Sequence, residues 1–250
     1  MEFKNGIPIL QYPLVNENVA LTATATSLNL TDDIDFMITI LRRGTVKFIP
    51  PIGWDYQKTA TGSGGAYSRP TIANVYTGVT NSSTCIAFYE VSAMKPFQVI
   101  NRMDWSKRHI FLLSLMRNDS IASAVGRFQI KDANTLGAIG EKGIELSIAN
   151  LTMVGAGYGS ARGATGTIAA MAAYQWVDVL IDHQPAVPRI DFYTDVGLGW
   201  SIAASITSSA NIPQVSGSTD AYYCLSIEKG AVADQPYLQH AGIWHLCFSR

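Results

Sequence analysis

The chain has 250 residues, of which 48% are hydrophobic and 15% charged, with 18 basic against 19 acidic side chains and a net charge of −1. Soluble domains carry about 25% charged residues, so part of this surface is expected to lie against closely packed strands or another chain. Basic residues cluster no further than Arg42-Arg43 and Lys107-Arg108, which excludes the electrostatic footprint of a nucleic-acid binder.

Residues 16–26 are rich in Thr and Ala, carry no charge after Glu17, and read as an extended arm or edge strand. Short runs rich in Val, Ile, Thr, Phe and Tyr follow at 35–41 and 45–49 and predict strands. Residues 50–70 hold Pro50-Pro51 and Gly62-Ser63-Gly64-Gly65 with Trp54, Tyr56 and Tyr67 interleaved, an aromatic loop. Further strand-like runs fall at 84–91, 97–100, 109–116, 125–130, 143–148 and 151–154. Residues 155–166 are glycine-rich and read as a loop, with a brief helical turn over 169–173. The runs at 175–182, 189–195, 199–204, 222–227 and 243–248 complete the series.

Two of these runs alternate cleanly. Val177, Val179 and Ile181 oppose Asp178, Leu180 and Asp182, while Ile190, Phe192 and Thr194 oppose Asp191, Tyr193 and Asp195. Such alternation predicts one face in a core and one outward, and the short segment 183–188 makes the two strands neighbours. Many short strands separated by turn signals predict an all-β, antiparallel two-sheet architecture. Residues 1–95 are expected to form an arm, strands and an aromatic, Gly-rich loop packed on a sandwich over 96–250, with one single domain as the alternative.

The chain carries no complete catalytic or metal-binding motif. Cys85, Cys224 and Cys247 are odd in number and lack metal-type spacing; Cys224 and Cys247 sit in apolar runs and read as small buried hydrophobes. His109, His183, His240 and His245 show no His-x-x-x-His or Cys/His cluster, and His245, between Trp244 and Leu246, reads as a satisfied core or interface histidine. Asp32, Asp33 and Asp35 lack calcium-loop spacing. The stretch at 155–166 lacks the last glycine of a dinucleotide loop and the Lys-Ser/Thr of a phosphate loop. Gly199-Trp200-Ser201-Ile202-Ala203 lacks the final glycine of a nucleophile elbow. No cofactor or metal is expected. The opening Met1-Glu2-Phe3-Lys4-Asn5-Gly6 lacks the pattern of a secretory signal, so Asn-x-Ser/Thr triplets at Asn29, Asn81, Asn118 and Asn150 read as chance matches. No run approaches the roughly 18 apolar residues of a membrane span.

Two residue groups are candidates for ligand contact. Trp54, Tyr56 and Tyr67, amid Asp55, Gln57 and Arg69, offer flat rings with hydrogen-bonding neighbours, which suits contact with another subunit first and a glycan as the alternative. Asp191, Tyr193 and Asp195 share one strand face that could hold a sugar or a cation; the competing reading is a solvated sheet face.

From about Phe97 onward the order of features resembles the concanavalin A-like (laminin-G-like) jelly roll found in many phage virion proteins. The resemblance rests on Arg-Phe-Gln-Ile at 127–130 and Gly-Ile-Glu-Leu-Ser-Ile at 143–148. It continues through the paired runs at 176–181 and 189–197, Asn-Ile-Pro at 211–213, and a closing strand at 242–248. It covers roughly the last 150 residues and implies an antiparallel two-sheet jelly-roll sandwich with an extended N-terminal arm. Glycosidases of this family carry an arrangement like Glu-x-Asp-x-x-Glu on one strand; no such triplet occurs here. What the resemblance implies is a non-enzymatic virion component (tail, fibre or capsid decoration), made in the host cytoplasm and working with other copies of itself and other virion proteins. A carbohydrate-binding module that reads a host-surface glycan is the alternative, and a glycoside hydrolase or lyase the second.

Overall fold

The computed structural model describes residues 2–4, 7–9, 44–49, 55–57, 65–68, 72–77, 84–90, 102–121, 123–132, 137–195, 200–214, 218–220, 222–230 and 234–248. In chain order the strands are β1 (Glu2–Lys4), β2 (Ile7–Ile9), β3 (Gly44–Ile49), β4 (Asp55–Gln57), β5 (Gly65–Ser68), β6 (Ala73–Tyr76) and β7 (Thr84–Glu90). Next come β8 (Arg102–Asp104), β9 (Arg108–Arg117), β10 (Ala124–Lys131), β11 (Gly143–Ala149), β12 (Thr152–Tyr158) and β13 (Arg162–Ala170). The series ends with β14 (Trp176–Gln184), β15 (Arg189–Asp195), β16 (Trp200–Ile206), β17 (Ser218–Asp220), β18 (Tyr222–Lys229) and β19 (Tyr237–Phe248). The expected arm at 16–26 and the runs at 35–41 and 97–100 lie outside the described residues.

The strands form two large antiparallel sheets. One runs β13-β12-β11-β10-β18-β7-β4; the other runs β16-β15-β14-β9-β19-β6-β5, with β3 also paired to β19. Between them lies one continuous core. Phe111, Leu113 and Leu115 of β9 and Val177, Val179 and Ile181 of β14 meet Phe128 of β10, Leu146 of β11 and Leu225 of β18. The alternation in the sequence specifies this, because a one-residue slip would turn each apolar set away from the core. The chain is an antiparallel jelly-roll sandwich, as expected. The expected boundary at 95/96 falls between β7 and β8, yet β3 to β7 are strands of these same sheets. The sandwich therefore draws on both sides of that boundary.

Two local features depart from the sequence reading. Residues 155–166 form a loop only at 159–161, and Ala169 and Ala170 belong to no helical turn: β12 and β13 pair as a hairpin through this stretch. Glycine serves packing here, since a Cβ on Gly155 would stand 2.6 Å from the Phe192 ring of the opposite sheet. Most of the outward face of β14 and β15 is also not solvated: Leu180, Asp182, Asp191 and Tyr193 are buried, and the face opens toward Trp176. In β19, Gly242 takes φ 116°, a conformation that favours glycine. It sits at a register shift against β9 between His240 and Ile243. This bulge lets the first half of β19 pair with β6 and the second half with β3.

Histidines occupy the core at one end of the sandwich. His109 Nδ1 lies 3.0 Å from His245 Nε2, whose ring nitrogen Nδ1 lies 3.2 Å from the Tyr223 hydroxyl. His183 Nε2 donates to Pro213 O at 2.7 Å and stacks near His109, with Trp105 edge-on to both. His245 is thus the bonded core histidine expected. Burial pushes His183 down to about 3, helped by His109 nearby, and burial does the same to His240. An unfolded imidazole titrates near 6.5, so below that pH the unfolded chain binds protons that the native chain refuses. Stability from these groups is full above pH 6.5 and falls as pH drops toward 3, by about 1.4 kcal/mol per pH unit for each histidine. The urea midpoint is therefore expected to fall between pH 7 and pH 5, and less steeply in His183→Gln. An equal slope in that variant contradicts the assignment.

Candidate functional site

The register of β14 and β15 sets Asp182 opposite Asp191. Both carboxylates lie on the outer side of the eight-stranded sheet, 0% and 2% exposed. Arg108 grips Asp182 through Nε (2.9 Å) and Nη2 (2.6 Å), and Gln184 Nε2 donates to the same carboxylate at 2.8 Å. Arg189 Nε donates to both oxygens of Asp191 at 2.6 and 2.8 Å, and Ser205 Oγ adds a bond of 2.5 Å. Burial raises the Asp182 pKa against the pull of Arg108, and burial beside Asp191 pushes the Tyr193 phenol up. Of the three candidates on this strand, Asp191 is engaged by its own neighbours and Tyr193 is buried. Asp195 pairs with Trp200, and its side chain lies outside the described residues.

Trp54 lies outside the described residues. Tyr56 stands opposite Ala87 at the β4 edge of one sheet, and Tyr67 stands opposite Asn74 at the β5 edge of the other. A row of paired positions runs Trp176, Met116, Gln239, Asn74 and Tyr67. Tyr67 therefore belongs to the same end of the eight-stranded sheet as Trp176.

That end carries a groove of about 430 Å³ between three connections: β9–β10, β13–β14 and β18–β19. Its lining includes Asn118, Asp119, Ser120, Tyr174, Asp234 and Gln235. The Asn118 amide clamps two connections, donating to Gln235 O at 3.2 Å and accepting from Tyr237 N at 2.7 Å. Asp119 Oδ1 accepts from Ile121 N at 2.9 Å and from Arg117 at 3.1 Å; its buried Oδ2 has no partner among the described residues. Arg117 closes the floor. Its guanidinium, fully buried, donates to Ile148 O (2.8 Å) and Ala124 O (3.1 Å) of the opposite sheet, and burial lowers its pKa.

Tyr174 is 66% exposed and holds φ 64°, a strained conformation for a residue with a side chain. Its N–H donates to Arg117 O at 2.8 Å, and the Gln175 side chain ties the turn by accepting from Ala172 N at 2.8 Å. The Tyr237 ring meets the Tyr174 ring edge-on at 6.4 Å. Trp176 and Tyr76, 39% and 37% exposed, lie at the same end of the sheet, Tyr76 opposite Tyr237. Three of the four large hydrophobic side chains exposed among the described residues thus lie at one end of the eight-stranded sheet, with Tyr174 lining the groove itself. Sequence reasoning missed it, although an aromatic after the alanines at 172–173 was a visible signal.

No protein-family model matches the chain, and no curated protein does. Among solved structures its fold is similar to a sialidase, at a TM-score of 0.50 and 9% identity over 81% of this chain and 18% of that one. It is similar to the CBM2 module of an evolved Dit of Lactobacillus casei BL23 phage J-1 (TM-score 0.50, 12% identity, 82% of this chain and 98% of that one). Lectin UEA-II complexed with galactose stands alike, at 0.50 and 12% over 81% and 97%. The chain spans under a fifth of the sialidase and nearly all of the other two. At these identities the likeness shows the fold alone, a lectin-like jelly roll.

Tyr174→Gly is expected to raise stability by about 1 kcal/mol, because glycine takes the left-handed conformation without strain. A lowered melting temperature would show that the contact with Tyr237 outweighs the strain. Asp119→Ala is expected to cost about 3 kcal/mol, since it removes the carboxylate facing a buried guanidinium; an unchanged urea midpoint contradicts that.

Proposed function

We propose that the chain is a non-catalytic carbohydrate-binding domain whose ligand site is the groove beside Tyr174, carried on a phage particle in several copies. Tyr174 carries the reading: an aromatic ring held open to solvent, at the expense of backbone strain, above a groove lined by carboxylates, amides and a hydroxyl. Sugars stack their C–H faces on such rings and share hydroxyl protons with such groups. Strain retained at an exposed aromatic is a feature of sites that need it. The lectin and phage-module folds support the reading at the level of architecture. The carboxylates that the sheet register brings together, Asp182 and Asp191, are buried in arginine pairs, which denies a substrate access to them and favours binding over catalysis. A virion location, with synthesis in the host cytoplasm, is part of this proposal and rests on the family resemblance.

A second reading has its own support. Low charge and the cluster of Tyr76, Tyr174 and Trp176 also suit a contact between subunits. A glycan array and sedimentation velocity on the same preparation separate the two. The glycan reading expects array binding that falls at least tenfold in Tyr174→Ala with the oligomeric state unchanged. Array silence combined with dissociation of the oligomer in Tyr174→Ala would move the cluster to the subunit interface.

A further inference from the structure

We infer that the groove selects neutral saccharides and rejects those bearing a carboxylate or sulfate. This rests on the glycan reading above and adds the chemical class of the ligand.

The charged lining of the groove has one sign. Asp119 and Asp234 line it, joined by Asn118, Gln235 and Ser120, and neither Lys nor Arg is among the described residues that line it. The two nearest cations on these elements are turned to other work. Arg117 is fully buried, with its guanidinium shared among Ile148 O, Ala124 O and Asp119. Lys229 is buried and donates to the backbone carbonyl of Asp234 at 2.8 Å. Residue 122 is Ala and residues 231–233 are Ala, Val and Ala, so the adjoining sequence adds no cation.

A neutral sugar presents several hydroxyl donors, and this lining answers with acceptors. Asp234 and Gln235 are exposed on one wall, and Asp119 Oδ2 lies unpartnered beneath the other. An anionic sugar would have to shed its hydration without a counter-charge and then meet two carboxylates, both unfavourable. Beyond the groove, Trp176, Tyr237 and Tyr76 continue the surface with uncharged rings.

The test prints neutral galactosyl, glucosyl and N-acetylhexosaminyl oligosaccharides beside their sialylated, glucuronylated and sulfated counterparts. The intact chain is compared with Tyr174→Ala and Asp234→Lys, each checked for an unchanged melting temperature or, for the tyrosine variant, an unchanged β-sheet spectrum. The expected result is binding to neutral members at least tenfold above their acidic counterparts, with that ratio falling toward one in Asp234→Lys. Acidic members bound as well as neutral ones, with the signal lost in Tyr174→Ala, would overturn the neutral class and leave the groove as the glycan site. Glycan signals that persist in Tyr174→Ala would place binding elsewhere, overturning the site and this inference together.

Discussion

The end of the sandwich that carries the groove depends on one buried guanidinium. Arg117 is the last residue of β9 and points into the core. There it donates to main-chain carbonyls of β10 and β11 in the opposite sheet and to the side chain of Asp119. A buried cation is costly unless its donors are matched; Nη1 and Nη2 are matched here, Nε has no partner among the described residues, and the matching groups tie both sheets to the β9–β10 turn. The same residue's carbonyl receives the N–H of Tyr174. One side chain thus locks the sheets, and its backbone sets the strained turn that presents the ring.

Charge is used in the same manner elsewhere. Only 15% of the chain is charged, and much of that charge is drawn inward. Asp182 pairs with Arg108, Asp191 with Arg189, Glu145 with Arg162, and Lys131 with Glu141, each pair containing at least one buried member. Glu145 also accepts from Gln129 Nε2 at 2.6 Å and from Ile139 N at 2.8 Å, which folds the β10–β11 connection back onto its sheet. These pairs order strands and turns more than they stabilise them. They also leave aromatic rings, amides and the carboxylates of Asp119 and Asp234 to define the surface near the groove.

The parts legible in the sequence were those governed by local period. Val177, Val179 and Ile181 announced β14, and the proline-bearing turn announced its pairing with β15. The glycines at 155–166 misled because their role is contact with a distant strand, Phe192 against Gly155, which no local pattern reveals. Asp191 and Tyr193 read as open although Arg189 stands two residues away on the same strand; Ser205 of β16 and Asp182 of β14 come beside them only through sheet pairing. The groove was illegible for the same reason. Asn118, Tyr174 and Asp234 lie about sixty residues apart in the chain and meet only once both sheets close. A positive φ at Tyr174 leaves no mark in composition either. Tyr67 is the partial exception, singled out as an aromatic and placed by register in the row of Trp176.

The proposed sugar site lies at the Arg117-anchored end of the sandwich. Backbone amide shifts measured by NMR during titration with neutral oligosaccharides test it most directly. The account predicts saturable shifts concentrated at 118–121, 173–176 and 234–237, the three connections that line the groove. Saturable shifts confined to the outer sheet faces, with those three segments unmoved, would contradict it.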